Sequence, residues 1–373
     1  MGGMRMKKVK MIATLLAFGI IIFGFAFWTW FGPDREFSSD ERRYLAEFPE
    51  LSTETLLSGD FMADFEGYTQ DQFPLRDSFR GIKAFFATKV AGKKDNNGLY
   101  SVDGHLSKIE YPMSESMIDH AADRFTAVYD RYLKDSGGEV FLTVVPDKGA
   151  YLAEENGCLS MDYPAFYEKV QETLPYMTYL PVEDLLGAED YYKTDSHWRQ
   201  ESILDVAQRL AEKLGGDPLP EFERETLTEP FYGVYAGQSA TGAEPDQITY
   251  LTNDILEGVK VTGLSDLGVW EEKALYDRKE LSGVDPYNFF LSGTEALLKI
   301  ENPMAEGGKR LIIFRDSFGS SLIPLMVPGF AEITVVDLRY IRGDQLGNYV
   351  EFDGQDVLFL YSTTLFNNSL AIG

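Results

Sequence analysis

Apolar residues in this chain are spaced in two different ways, and the alternation of the two is its first structural signal. Four short runs are apolar almost throughout and rich in β-branched residues: Val140-Phe141-Leu142-Thr143-Val144-Val145, Arg310-Leu311-Ile312-Ile313-Phe314, Glu332-Ile333-Thr334-Val335-Val336 and Asp356-Val357-Leu358-Phe359-Leu360-Tyr361. Runs of this kind suit strands that are covered on both faces. Elsewhere the spacing is helical. Ile118, Ala122, Phe125, Tyr129 and Leu133 predict a helix over 114–134, and Ile203, Val206, Ala207, Leu210 and Leu214 predict another over 200–214. A helix over 164–174, a short strand at 178–180 and a short helix over 182–186 fill the interval. Strands that alternate with helices predict an α/β fold with a mostly parallel sheet flanked by helices.

Two stretches depart from this pattern. Residues 37–90 read as helical, with Phe61, Phe65 and Tyr68 on one face and Ile82, Phe85, Phe86 and Val90 on another, and Pro74 at a helix start. Directly after them, 97–106 reads as a hairpin that turns at Asp103-Gly104. Residues 217–302 carry scattered β-type segments such as Ile248-Thr249-Tyr250-Leu251, a small-residue loop at 236–242 and no long helix. They are expected to form a less regular, β-rich insertion. No repeat of solenoid length interrupts the chain.

The amino terminus has its own pattern. Arg5, Lys7, Lys8 and Lys10 precede an uncharged run from Met11 to Phe31, about 21 residues and long enough to span a bilayer. A cleaved secretory signal is the competing reading. Its apolar region would be shorter and would end at a small-residue site, whereas this run ends in Phe27-Trp28-Thr29-Trp30-Phe31-Gly32-Pro33. An uncleaved anchor with its basic end in the cytoplasm is therefore expected, with the remainder outside the membrane.

Charge narrows the function classes. The chain has 34 basic and 60 acidic residues, and removing the basic leader makes the remainder more acidic still. Nucleic acid is excluded as a partner, because binding it depends on neutralising phosphates with Lys and Arg. The acidity itself reads as a soluble, self-repelling surface. A single cysteine, Cys158, cannot close an internal disulfide, so stability rests on the core. No His or Cys cluster has the spacing of a metal site.

The four residues Arg-Asp-Ser-Phe occur twice, at 76–79 and at 315–318. Ser78 lies inside a helical stretch. Ser317 follows a predicted strand at two residues and precedes Phe318-Gly319-Ser320-Ser321, where a helix begins. A serine at a strand-to-helix turn presents its hydroxyl at the carboxyl end of the sheet, beside backbone N–H groups able to stabilise an oxyanion; the bland alternative is a helix cap. A nucleophilic serine needs a base, and the histidines are His105, His120 and His197. The first is placed in the hairpin and the second on a polar helix face. His197 stands in Thr194-Asp195-Ser196-His197-Trp198, where Asp195 is placed to orient the imidazole.

The pairing of TDSHW with FRDSFG more than a hundred residues later resembles the alginate O-acetyltransferase and DHHW-type proteins of the SGNH-hydrolase superfamily. The resemblance extends to the single amino-terminal membrane segment, DQFPLRD, NNGLYSVDGHL, VVPDKGAYL and VVDLRYIRG. It covers most of the chain and is weakest over 217–302. It implies an SGNH-like fold in which the Asp-x-His element precedes the serine. Ser317 would be the nucleophile, His197 the general base and Asp195 its orienting partner. Ser196 stands where the motif has a second histidine, and Arg315 where many relatives have glycine; neither change touches these three positions. The Gly and Asn blocks that complete an oxyanion hole in SGNH hydrolases are not recognisable, which leaves the Ser317 amide as the donor.

The activity implied is transfer of an acetyl group through a serine ester to a hydroxyl of a cell-envelope or secreted polysaccharide, without a cofactor. Acetyl-CoA is absent outside the cell, so a multi-spanning membrane acyltransferase is implied as donor partner. A carbohydrate acetyl-esterase with the same triad and a non-catalytic glycan-binding accessory protein are the alternatives. Candidates for substrate contact are Arg339, with a surface ion pair as its alternative, Lys148 and Tyr151 lining the cleft, and Tyr192 and Trp198 stacking on sugar rings. The organisation expected is a cytoplasmic leader at 1–10, an anchor at 11–31, a helical lead-in and hairpin at 32–110, and a catalytic domain at 111–373 with the insertion at about 217–302.

Overall fold

The computed structural model describes residues 2–265, 267–305 and 307–373. They form two compact units, one of residues up to 93 with 240–242, the other of 94–239 with 243–373. In the first unit, α1 (Gly2–Phe31) contains a stretch, Met6–Phe31, long and apolar enough to cross a membrane. It is followed by α2 (Asp60–Asp71) and by α3 (Arg76–Phe85), which runs on as a π-helical turn to Val90. Phe25 of α1 stacks on Phe73 at 5.2 Å and meets Phe79 edge-on at 5.9 Å. The Arg43 guanidinium donates to both Asp71 oxygens at 2.7 and 2.6 Å, a bidentate clamp on the end of α2.

The second unit opens with the expected hairpin, β1 (Leu99–Val102) and β2 (His105–Lys108), which turns at Asp103-Gly104. It continues through α4 (Glu115–Val128), β3 (Val140–Val145), α5 (Tyr163–Thr173), β4 (Thr178–Tyr179) and α6 (Leu204–Lys213). Then come β5 (Glu223–Phe231), β6 (Asp246–Thr252), β7 (Lys260–Leu264), β8 (Trp270–Lys273) and β9 (Leu297–Glu301). The chain ends through β10 (Arg310–Arg315), α7 (Gly319–Met326), β11 (Glu332–Val336) and β12 (Asp356–Ser362). One eight-stranded sheet has the order β8-β7-β9-β11-β10-β12-β3-β4, and its five strands from β11 to β4 are parallel. The mostly parallel sheet expected from the apolar runs is therefore present.

Those runs are apolar throughout because both faces are covered. Leu311 and Ile313 of β10 join one core with Val206, Ala207 and Leu210 of α6. Ile312 and Phe314 join another with Ile118, Ala122 and Phe125 of α4 and Phe166 and Val170 of α5. The expected insertion is only partly an excursion. β5 and β6 form a separate pair, whereas β7, β8 and β9 extend the main sheet as antiparallel strands. Their sequence hid this, because strands near an edge keep charged residues such as Lys260 and Glu301 exposed or half-exposed. The helix expected over 200–214 begins instead as a 3-10 turn at Gln200–Ser202. The Gln200 amide is drawn away to donate to the Ser321 carbonyl at 2.7 Å and to accept from the Leu251 amide at 2.8 Å.

Phe125 is fully buried and packs on Phe359, Tyr361 and Phe366 at centroid distances of 5.0, 4.7 and 5.7 Å. Phe125→Ala should lower stability by about 3–5 kcal/mol, read as a shifted denaturation midpoint of the detergent-solubilised chain. An unchanged midpoint would remove these rings from the core.

Candidate active site

Ser317 owes its position to the end of β10. Asp316 follows the strand and is almost fully buried. One of its carboxylate oxygens accepts from the Phe318 amide at 3.0 Å and the other from the Ser362 amide at 2.8 Å, which fastens the turn to the end of β12. Gly319 then starts α7, and a Cβ there would lie 2.8 Å from that of Arg315, too close for any other residue. The Ser317 hydroxyl is left half-exposed in a cleft of about 190 Å³ shared with Ser196, Tyr235, Arg339 and Asn368. The Ser317 amide donates to no group among the described residues.

His197 sits on a loop closed by a bond from the Tyr192 amide to its own carbonyl at 3.1 Å. The loop is tied at several points. Asp246, at the start of β6, accepts from the amides of Lys193 and Thr194 at 2.9 and 2.8 Å and from the Thr194 hydroxyl at 2.6 Å. Asp195, fully buried, accepts from the Val234 amide at 2.8 Å, the His197 amide at 3.1 Å and His197 Nδ1 at 2.5 Å. A Cβ at Gly233 would lie 2.3 Å from that of Asp195, so the carboxylate is reached only because position 233 is glycine. A carboxylate acceptor fixes the proton on Nδ1. Nε2 is then an acceptor, and it lies 2.7 Å from Ser317 Oγ. Asp195, His197 and Ser317 thus form one continuous hydrogen-bonded chain.

The remaining expected site residues divide. Arg339 lines the cleft, with its guanidinium held by Asp337 at 2.9 and 2.6 Å; the ion pair and the cleft position coexist. Trp198 and Tyr192 are fully buried, which corrects the expectation that they stack on sugar rings. The Trp198 indole instead donates to the Phe318 carbonyl at 3.1 Å and to Ser321 Oγ at 3.0 Å. Tyr151 points its hydroxyl at the Glu183 carbonyl, 3.1 Å away, and is not among the cleft residues. Lys148 is buried too, donating from Nζ to the Tyr192 carbonyl at 2.8 Å. It supports the histidine loop from behind rather than lining the cleft. Sequence reasoning missed Tyr287, whose ring lies flat on His197 at 3.8 Å and 6° while its hydroxyl donates to Ser321 Oγ at 2.9 Å. A lone tyrosine after Asp285-Pro286 in an irregular segment carries no signal that could have found it.

Burial also sets the electrostatics. It raises the Asp147 carboxyl above the usual range, against donation from Thr363 and Tyr163. It lowers the Lys148 ammonium to about 7, opposed by the charges of Asp195, Asp246 and Asp147. A lysine depressed on folding binds its proton more tightly when unfolded. The cost of burying its charge is therefore fully present below pH 7 and is relieved as pH rises toward the unfolded value of about 10.4. Wild type should accordingly gain stability relative to Lys148→Met across that window, by roughly 1.4 kcal/mol per pH unit at the steepest. Paired denaturation curves at pH 7 and pH 9.5 check this, and a pH-independent difference would count against it.

No protein-family model and no curated protein sequence matches the chain. Solved structures do share its fold. A DHHW family protein from Eubacterium siraeum DSM 15702 aligns at 23% identity over 75% of this chain and 93% of its own, with a TM-score of 0.59. Bacillus cereus PatB1 aligns at 16% identity over 72% of this chain and 96% of its own, with a TM-score of 0.58. The same protein solved with a sulfonyl adduct aligns at 17% identity over 72% and 95%, with a TM-score of 0.59. The chain thus shares its fold with a protein of the DHHW family, the family that TDSHW and FRDSFG resemble.

Proposed function

We propose that this chain is a membrane-anchored, extracytoplasmic O-acetyltransferase that carries acetyl on Ser317 and delivers it to a polysaccharide hydroxyl. The observation that carries the reading is the unbroken chain from Asp195 through His197 to a half-exposed Ser317 Oγ in the cleft. In the first half-reaction His197 Nε2 takes the serine proton as Oγ attacks the acetyl carbonyl. The Ser317 amide faces the developing oxyanion, and the donor's oxygen leaves with the proton from Nε2. In the second, the sugar hydroxyl gives its proton to Nε2 and attacks the ester, and Ser317 recovers that proton as it departs. Asp195 keeps the proton on Nδ1 and stabilises the imidazolium in both. Arg339, the cation in the cleft, is the residue for acceptor contact. The donor is a multi-spanning membrane acyltransferase, and residues 11–31 hold the chain beside it.

PatB1 has been solved with a sulfonyl adduct, which makes a sulfonyl fluoride a suitable probe. Ser317→Ala should abolish covalent labelling and Ser78→Ala should leave it intact; equal labelling of wild type and Ser317→Ala would remove the nucleophile. Asp195→Asn should slow acylation by roughly 10²–10⁴-fold with Ser317 still present.

Transfer and hydrolysis share the acyl-enzyme and differ in which nucleophile reaches it. An acceptor held by the protein gains from proximity and orientation, and water does not. The chain given a small acetyl ester should therefore turn over slowly alone and form acetylated sugar when a suitable oligosaccharide is added. Rapid deacetylation of acetylated glycans, with no acetylated product from any acceptor, would replace the transferase with an esterase.

A further inference from the structure

The first Arg-Asp-Ser-Phe copy plays no part in this chemistry, yet its helix carries the strongest unexplained surface of the first unit. Ile82, Phe86 and Val90 share one arc of α3 and its π-helical continuation, and they are 52, 56 and 63% exposed. Phe85, 57% exposed, widens the arc. Lys83 and Lys89, both exposed, flank it. An apolar face of this extent is not left in water without a reason.

The neighbour of the helix indicates the reason. A groove of about 790 Å³ runs between α1, with Ile21, Ile22 and Phe25, and the α2–α3 pair, with Phe65 of α2 and Arg76, Phe79 and Lys83 of α3. Phe25 lies six residues before the end of α1, about 9 Å along the axis, and Ile21 about 15 Å. If α1 spans the bilayer, those residues are in its outer half, and a helix packed against them is at lipid depth as well. Helices that lie in the interface bury their apolar face about 5–10 Å into it.

We propose that residues 76–90 form a second, in-plane membrane contact, in which Ile82, Phe86 and Val90 insert among the acyl chains of the outer leaflet while Lys83 and Lys89 extend to the headgroups. This rests on reading α1 as an uncleaved anchor. Arg76 and Arg80 are each held by Glu41 at 2.9 Å, so apolar insertion rather than charge drives the contact and anionic lipid is not required.

The test uses the full chain in phosphatidylcholine vesicles, with single cysteines in a Cys158→Ser background carrying an environment-sensitive fluorophore. Ile82→Cys and Phe86→Cys should be quenched severalfold more by acyl-chain spin-labelled lipid than Glu172→Cys, an exposed reference in the second unit. Leu16→Cys, within α1, reports the anchor separately. Quenching at Leu16 with none above the reference at Ile82 and Phe86 overturns the proposal while the anchor stands. It would leave the face to a partner protein absent from such vesicles. No quenching at Leu16 overturns the anchor, and the proposal with it.

Discussion

The indole N–H of Trp198 holds two loops together that are far apart in sequence, and the geometry of the site depends on it. Trp198 follows His197 and Phe318 follows Ser317, so the bond from the indole to the Phe318 carbonyl at 3.1 Å joins the immediate neighbours of imidazole and hydroxyl. A second bond, to Ser321 at 3.0 Å, fixes the indole to the first turn of α7. Because Trp198 is fully buried, its N–H has no water to fall back on, and parting the loops would strand it at a cost of about 1–3 kcal/mol. Tyr287 bonds to the same Ser321 hydroxyl and lays its ring on His197, so rotation of the imidazole is opposed from a third direction. The 2.7 Å between Nε2 and Oγ is thus a consequence of bonds made one residue away.

Four aspartates around the cleft repeat a single device. Asp147, Asp195, Asp316 and Asp337 each accept from the amide two residues on, at Gly149, His197, Phe318 and Arg339, the turn that aspartate favours. Asp316 and Asp337 directly follow strands β10 and β11, and Asp147 follows β3 after one proline. The carboxylate that closes the turn is then also in reach of something distant: Thr363 for Asp147, Ser362 for Asp316 and Arg315 for Asp337. Asp195 spends its remaining capacity on His197 Nδ1 and the Val234 amide. The carboxylate that holds His197 is therefore one more member of a set of turn-closing aspartates around the cleft.

The parts of this arrangement legible in the sequence were those with a local cause. Strands covered on both faces announce themselves as apolar runs, which is why β3, β10, β11 and β12 were readable. The turns that hold Ser317, His197 and Asp195 stood out because the chain has three histidines and because a serine after an apolar run and an Asp-x-His pair are recognisable local patterns. What stayed hidden depends on distant partners. Trp198 and Tyr192 looked like candidates for sugar contact because an aromatic residue close to a candidate histidine reads the same whether it faces the cleft or the core. Lys148 likewise could not be told from a cleft lysine before its bond to the Tyr192 carbonyl was known. The 217–302 region read as peripheral, although it supplies Asp246, Gly233 and Val234, which hold the histidine loop.

The repeated Arg-Asp-Ser-Phe shows why local identity does not fix surroundings. At 76–79 the four residues lie on a helix, where successive side chains point in different directions: Asp77 reaches Arg35 at 2.9 Å, Ser78 faces outward and Phe79 packs on Phe25. At 315–318 they straddle a strand end. Arg315 is buried 3.6 Å from Asp337, Asp316 closes the turn, and Phe318 lies against the His197 ring at 4.9 Å. Only there does the backbone reverse direction at the serine, so that its neighbours are buried while its own hydroxyl remains in the cleft. A serine on a helix face shares its exposure with a whole surface. A serine on this turn is exposed at one point, and that point lies 2.7 Å from an imidazole nitrogen.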